Sequence, residues 1–178
     1  MFAGVRARAI CATAALALTY GGLLMPGPAH AGTALLTCTG TQTVTYHPPL
    51  TNTPTSTTVE IRETYTSCLD TAGIASGTGS FSLTETASCT SVNDPLGPPD
   101  RPVYDWNTHQ KSGVTFTVTS VDRLGNGTTQ VTAAGTVSSG FGEGSKAIRT
   151  ATLPDLSLAA CAGSGVRQQS GPATLTLL

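Results

Sequence analysis

Apolar and polar residues alternate along most of the chain with a period of two. The clearest run is Val114, Phe116 and Val118 against Thr115, Thr117 and Thr119, which gives a strand with one apolar face and one hydroxyl face. A second run follows Asn126-Gly127, with Val131, Ala133 and Val137 continuing the apolar row. Asn-Gly suits a two-residue type I′ turn, so residues 113 to 138 are expected to form a hairpin. Its paired residue numbers then sum to 253, setting Phe116 opposite Val137 and Val118 opposite Gly135; a four-residue loop gives 251 and keeps each side chain on the same face, whereas a three-residue loop does not.

The same alternation predicts further strands at 41–46, 57–67, 80–89, 103–108, 146–153 and 173–178, with Gly32 to Thr41 a weaker lead-in. Proline-rich segments at 47–56 and 92–102 interrupt the pattern because proline donates nothing to a strand ladder. Residues 163–171 are expected to form a loop. Within 57–67, Val59, Ile61 and Tyr65 share a side, and Glu63 falls on that apolar side. A strand end or a rotated edge is the expected explanation, a buried functional carboxylate the alternative. Eight or nine short strands with no helical period predict an all-β protein, a β-sandwich of immunoglobulin-like or Greek-key type, with a partly closed barrel as the alternative.

Composition sharpens this picture. Arg6 and Arg8, the apolar run from Ala9 to Leu24 and the Ala29-x-Ala31 pattern predict a secretory signal over 1–31, leaving one β domain over 32–178. No lipid anchor or membrane anchor is expected. The 147 residues from Gly32 onward include thirty threonines and only seven aromatic residues, a balance that favours strands with solvated faces. They carry ten acidic and seven basic residues, a net charge of −3 with no basic cluster, so nucleic acid is not an expected partner.

Cys38, Cys68, Cys89 and Cys161 remain in this domain, and four cysteines in an exported chain are expected to form two disulfides. Three pairings are possible. Cys38 with Cys68 and Cys89 with Cys161 is favoured, because each joins the ends of consecutive strand-rich stretches, stabilising by roughly 3.5 and 4.5 kcal/mol in the loop-entropy model. No Cys-x-x-Cys spacing is present, so neither a metal nor another cofactor is expected.

The series Cys38-Thr-Gly, Pro49-Leu-Thr-Asn-Thr-Pro54, Tyr65-Thr-Ser-Cys68, Ser88-Cys89, a Trp before the central hairpin, Gly140-Phe141, and Cys161 followed by Gly165-Val166 resembles small exported β proteins of actinobacteria. The resemblance spans most of the domain. It implies a secreted all-β protein and carries no catalytic residues.

Candidate chemistry is sparse. There is no Gly-x-Ser-x-Gly, His-Glu-x-x-His or phosphate loop. His47 and His109 stand in no motif, and along a strand His109 lies about 13 Å from Asp105. Asp94, Asp100 and Asp105 share a region where calcium or acid-base chemistry is conceivable, though acids beside prolines are usually solvated. Trp106 is expected to plug the core, with a ligand-stacking platform as the alternative. Asn126-Gly127-Thr128 fits a glycosylation acceptor, but the turn already accounts for it.

If strands run up and down, the connections 47–56, 92–102 and 124–127 gather at one end, bringing His47, Asn52, Asp94, Asp100 and Arg101 onto stiff loops suited to binding. The expected function is a secreted, monomeric, non-enzymatic binding or surface-associated domain, a possible subunit of an extracellular assembly, with an extracellular protein or an envelope glycan as partner. The alternatives are a protease inhibitor offering loop 92–102 and a hydrolase with an unrecognised site.

Overall fold

The structure is a computed structural model and describes residues 35–70, 72–91 and 98–178. The expected signal over 1–31 and the candidate Asp94 lie outside the described residues. Eight strands run in order: β1 Leu36–Leu50, β2 Thr55–Asp70, β3 Gly77–Ala87, β4 Val103–Trp106, β5 Lys111–Leu124, β6 Thr128–Gly140, β7 Lys146–Pro154 and β8 Val166–Leu177. A short helix, α1, spans Leu158–Ala162 between the last two strands.

The all-β expectation holds. Every strand pairs antiparallel with the next, and β8 returns to pair with β1, closing one sheet into a barrel. This is the barrel alternative and not two facing sheets. Closure removes the free edges at the first and last strands, which an open meander would leave exposed.

The central hairpin differs in register from the expected one. Leu124 pairs with Thr128 and Val121 with Val131, a three-residue loop, and Gly127 alone adopts a positive φ of 79°. The Gly127 amide donates to the Leu124 carbonyl at 3.3 Å, so the turn is of the three-residue kind that ends in a left-handed glycine. A register shift between Val118 and Ser120 then resets the ladder, so that Val118 faces Ala133 and Phe116 faces Gly135. That bulge returns the apolar row to the barrel interior, which a three-residue loop alone would have turned outward.

Two other boundaries move. Pro48 and Pro49 do not end β1, which continues to Leu50 across a register shift against β8. Residues 166–171, expected as loop, belong to β8, because their backbone pairs with β1; ladder bonding there overrides a Gln, Ser and Gly composition. Helix α1 starts at Ser157, whose Oγ accepts from the Ala160 amide, and it sets Cys161 inward.

Both favoured disulfides form, Cys38 to Cys68 and Cys89 to Cys161. The first joins register partners on β1 and β2; the second ties α1 to the segment after β3. Two apolar clusters pack inside the barrel. One packs Leu36, Tyr65, Tyr104, Trp106, Val114, Phe116 and Leu177 around the first disulfide. The other packs Val44, Tyr46, Leu50, Val59 and Leu153 around the second. Each large side chain buried in this way stabilises by about 1.5–3 kcal/mol.

The wall is uneven because β4 is only four residues long. It covers Gly77 to Ser80 of β3 and Lys111 to Gly113 of β5. Farther along, residues 81–87 pair only with β2 and residues 117–124 only with β6, among the described residues. Residues 98–102 run beside β5 at the border of this gap. Asp100 and Phe116 exchange both backbone hydrogen bonds, at 2.9 and 2.8 Å, and the Val114 amide donates to the Pro102 carbonyl at 3.1 Å.

Candidate functional site

A cavity of about 130 Å³, partly open to solvent, lies inside the barrel where the wall is incomplete. Its walls come from inward positions of six strands: Val44 and Tyr46 on β1, Val59 and Ile61 on β2, Leu83 on β3, Val118 on β5, Val131 on β6 and Leu153 on β7. Strand periodicity places them there, since alternate residues face one side. The polar lining is concentrated in Gln42, Glu85, Asp100, Thr129, Arg149 and Gln169.

Arg149 is the centre of this polar group. It occupies the inward row Ala147, Arg149, Ala151, Leu153 of β7 and is 4% exposed, with small alanines on either side leaving room for the guanidinium. Nη2 donates to Asp100 Oδ2, and Nη1 lies 3.1 Å from Glu63 Oε1. The guanidinium carbon sits 4.8 Å from the centre of the Phe116 ring and 5.4 Å from that of Phe81, a cation held among aromatic faces. Burial opposes its charge, but Glu63, Tyr104 and Asp100 together hold it above the usual arginine range.

Glu63 is 1% exposed and is neither a strand end nor a rotated edge. It lies within β2 and accepts hydrogen bonds from Tyr104 at 2.7 Å and Tyr65 at 3.2 Å, both on Oε2. Burial pushes both phenols up, and the Glu63 charge adds to this. Tyr104 reaches the carboxylate because Gly79 lies across from it on β3, where a Cβ would run into the ring.

Burial also pushes the Asp100 carboxyl up, with Arg149 offsetting only part of the effect. Glu85 is raised as well, first by burial and then by the Asp100 charge. Tyr46, raised by burial and by Glu85, donates to Gln169 Oε1 at 2.7 Å. Gln42, the register partner of Glu63 across β1 and β2, is 4% exposed. Its Oε1 has no hydrogen-bond partner among the described residues.

Of the candidates drawn from the sequence that fall among the described residues, Asp100 alone lines this cavity. It is 7% exposed and paired with Arg149, not a solvated loop charge. His47, Asn52 and Arg101 are exposed, and Asn52 lines a separate cleft near α1 with Arg123 and Asp155. Trp106 plugs the core: it is 3% exposed, stacks on Tyr104 at 5.5 Å and donates from Nε1 to Ser112 Oγ at 2.9 Å. His109 is exposed in the turn after β4 with φ of 63°, while Asp105 pairs with Lys111 at 2.7 Å on the surface. Asp100 and Asp105 thus answer to different cations, and no group of three metal-ligating side chains occurs among the described residues.

Sequence reasoning missed Arg149, Glu85 and Gln42. The available signal was a polar or charged residue on an inward row at period two, the same signal that singled out Glu63. Comparison of the chain with protein-family models, curated proteins and solved structures finds no match.

Proposed function

We propose that the protein is a secreted, non-enzymatic binding protein that takes a small amphipathic molecule into its barrel. The observation that carries this reading is the cavity itself, apolar along its walls and polar at a few fixed groups, the usual make-up of a small-molecule site. An eight-stranded barrel has room for one such ligand where side chains do not fill it. Two disulfides suit an oxidising compartment outside the cell. Both histidines of the described domain are exposed and away from the cavity, which supports binding over hydrolysis. The inhibitor alternative is weakened on one side of its loop, because Asp100 and Pro102 are buried and bonded to β5.

The test is titration of the oxidised protein with a neutral, environment-sensitive dye, beside a Val131→Trp variant that fills the cavity. Saturable binding at one site, lost in the variant while near-ultraviolet circular dichroism stays native, is the expected result. Equal dye binding by both proteins overturns the reading.

A further inference from the structure

The charges around the cavity are unbalanced. Glu85, Asp100 and Arg149 line it, and Glu63 stands behind Arg149, so one cation faces three carboxylates. That cation is already engaged by Asp100 and Glu63 and covered by the Phe81 and Phe116 rings. Arg149 Nη1 makes no hydrogen bond among the described residues, but an anion taking it would sit beside Glu63, Asp100 and Glu85, three carboxylates against one cation. An independent observation points the same way: Gln42 Oε1, an acceptor on a 4% exposed side chain lining the same cavity, lacks a donor among the described residues. A buried acceptor without a donor costs free energy that an N–H group would restore.

Building on the binding-protein reading, we propose that the ligand is an amphipathic amine, its protonated nitrogen seated among Glu85, Asp100 and Gln42 and its apolar part against Val59, Leu83 and Val131. The ammonium supplies the donors Gln42 lacks and relieves the repulsion between the two carboxylates. The same repulsion adds to burial in holding the Glu85 carboxyl up. The walls then set the size of the apolar part, and the carboxylates its charge.

The experiment uses three probes of one chain length, octylammonium, octanol and octanoate, titrated calorimetrically into the oxidised full chain below their micelle-forming concentrations. Octylammonium is expected to bind about tenfold more tightly than octanol, the worth of one charge-assisted hydrogen bond, with octanoate weakest. In Glu85→Gln the preference for octylammonium over octanol is expected to fall toward unity. Octanol or octanoate binding as tightly as octylammonium overturns the amine assignment and leaves the cavity reading intact. The same holds if none of the three binds but the neutral dye does. If the dye fails as well, both readings fall.

Discussion

Arg149 Nη1 lies 3.1 Å from Glu63 Oε1 with both side chains inside the barrel, 5% and 1% exposed. The two residues sit on β7 and β2, strands that are not neighbours in the ring, so the pair spans the interior. Removing one member strands a buried charge, which typically costs about 3–5 kcal/mol, whereas replacing both with groups of similar volume costs far less. Arg149→Ala is therefore expected to lower the urea midpoint sharply, because it leaves both Glu63 and Asp100 without their cation, and Arg149→Met combined with Glu63→Gln and Asp100→Asn to recover most of the loss. Equal destabilisation by the single and triple variants would show that the ion cluster is not what the single variant breaks.

Tyr46, Tyr65 and Tyr104 all have phenols raised by burial from the ordinary value of 10.0. In the unfolded chain they ionise near their ordinary value, so above it the native state holds more protons and stability falls as pH rises. Ultraviolet titration of the full chain is expected to show a step near the ordinary value no larger than one tyrosine, Tyr20 being outside the described residues. Further phenolate absorbance should arrive together with loss of the native circular dichroism signal. A reversible step of three or four tyrosines in the folded protein would contradict this.

Asp100 and Glu85 give a second pH dependence. Their folded carboxyls are raised above the ordinary values of 3.8 and 4.5, so the native state retains protons that the unfolded chain has released. Their contribution is fully present below those ordinary values and is lost as pH rises through the folded ones. Stability measured by urea is expected to decline across that mildly acidic window, and Glu85→Gln to flatten the decline. An unchanged slope in the variant would mean that Glu85 takes no part.

Gly79→Ala tests how Tyr104 is seated. The added methyl must displace the ring that donates to Glu63, and overpacking of this kind usually costs about 1–3 kcal/mol. The expected result is a lower urea midpoint with a phenol that titrates closer to its ordinary value. A variant as stable as the parent would show that the ring moves without loss.

Replacing Cys89 and Cys161 with serine opens a loop with a sequence separation of 72, against 30 for Cys38 and Cys68. Loop entropy ranks the longer closure higher by less than about 1 kcal/mol, within a usual loss of about 2–5 kcal/mol for either bridge. Comparing the melting of the two double variants checks this order. A larger loss on removing Cys38–Cys68 would point to packing in the cluster around Leu36 and Tyr65 as the stronger effect.

What was legible in the sequence was local. Alternation located the strand in 113–119 because one strand carries its own period, and the cysteines could be paired because each bridge joins consecutive strand-rich stretches. The closure of β8 onto β1 was not legible, since Gln168, Gln169 and Ser170 give no apolar signal and their pairing depends on residues far away in the chain. The hairpin register failed at two places: the loop takes three residues, with Gly125 included beside Asn126-Gly127, and the bulge near Thr119 leaves no mark in a Thr-rich strand. Glu63 was noticed and misread for a related reason. A carboxylate on an apolar face is intelligible only beside its counter-charge, and Arg149, flanked by Ala147 and Ala151, sits in a row too small-sided to stand out.

The meander gives the barrel an order of assembly. Most strand partners are sequence neighbours and can zip up as hairpins soon after they exist, but the seam between β1 and β8 joins the two ends of the domain. Glu63 must likewise wait for Arg149, which belongs to the seventh strand. A chain cut short before β7 therefore holds a carboxylate that has no internal cation to meet and a first strand with an open edge. Both the seam and the buried ion pair thus depend on strands made late, and β8 is the latch of the ring.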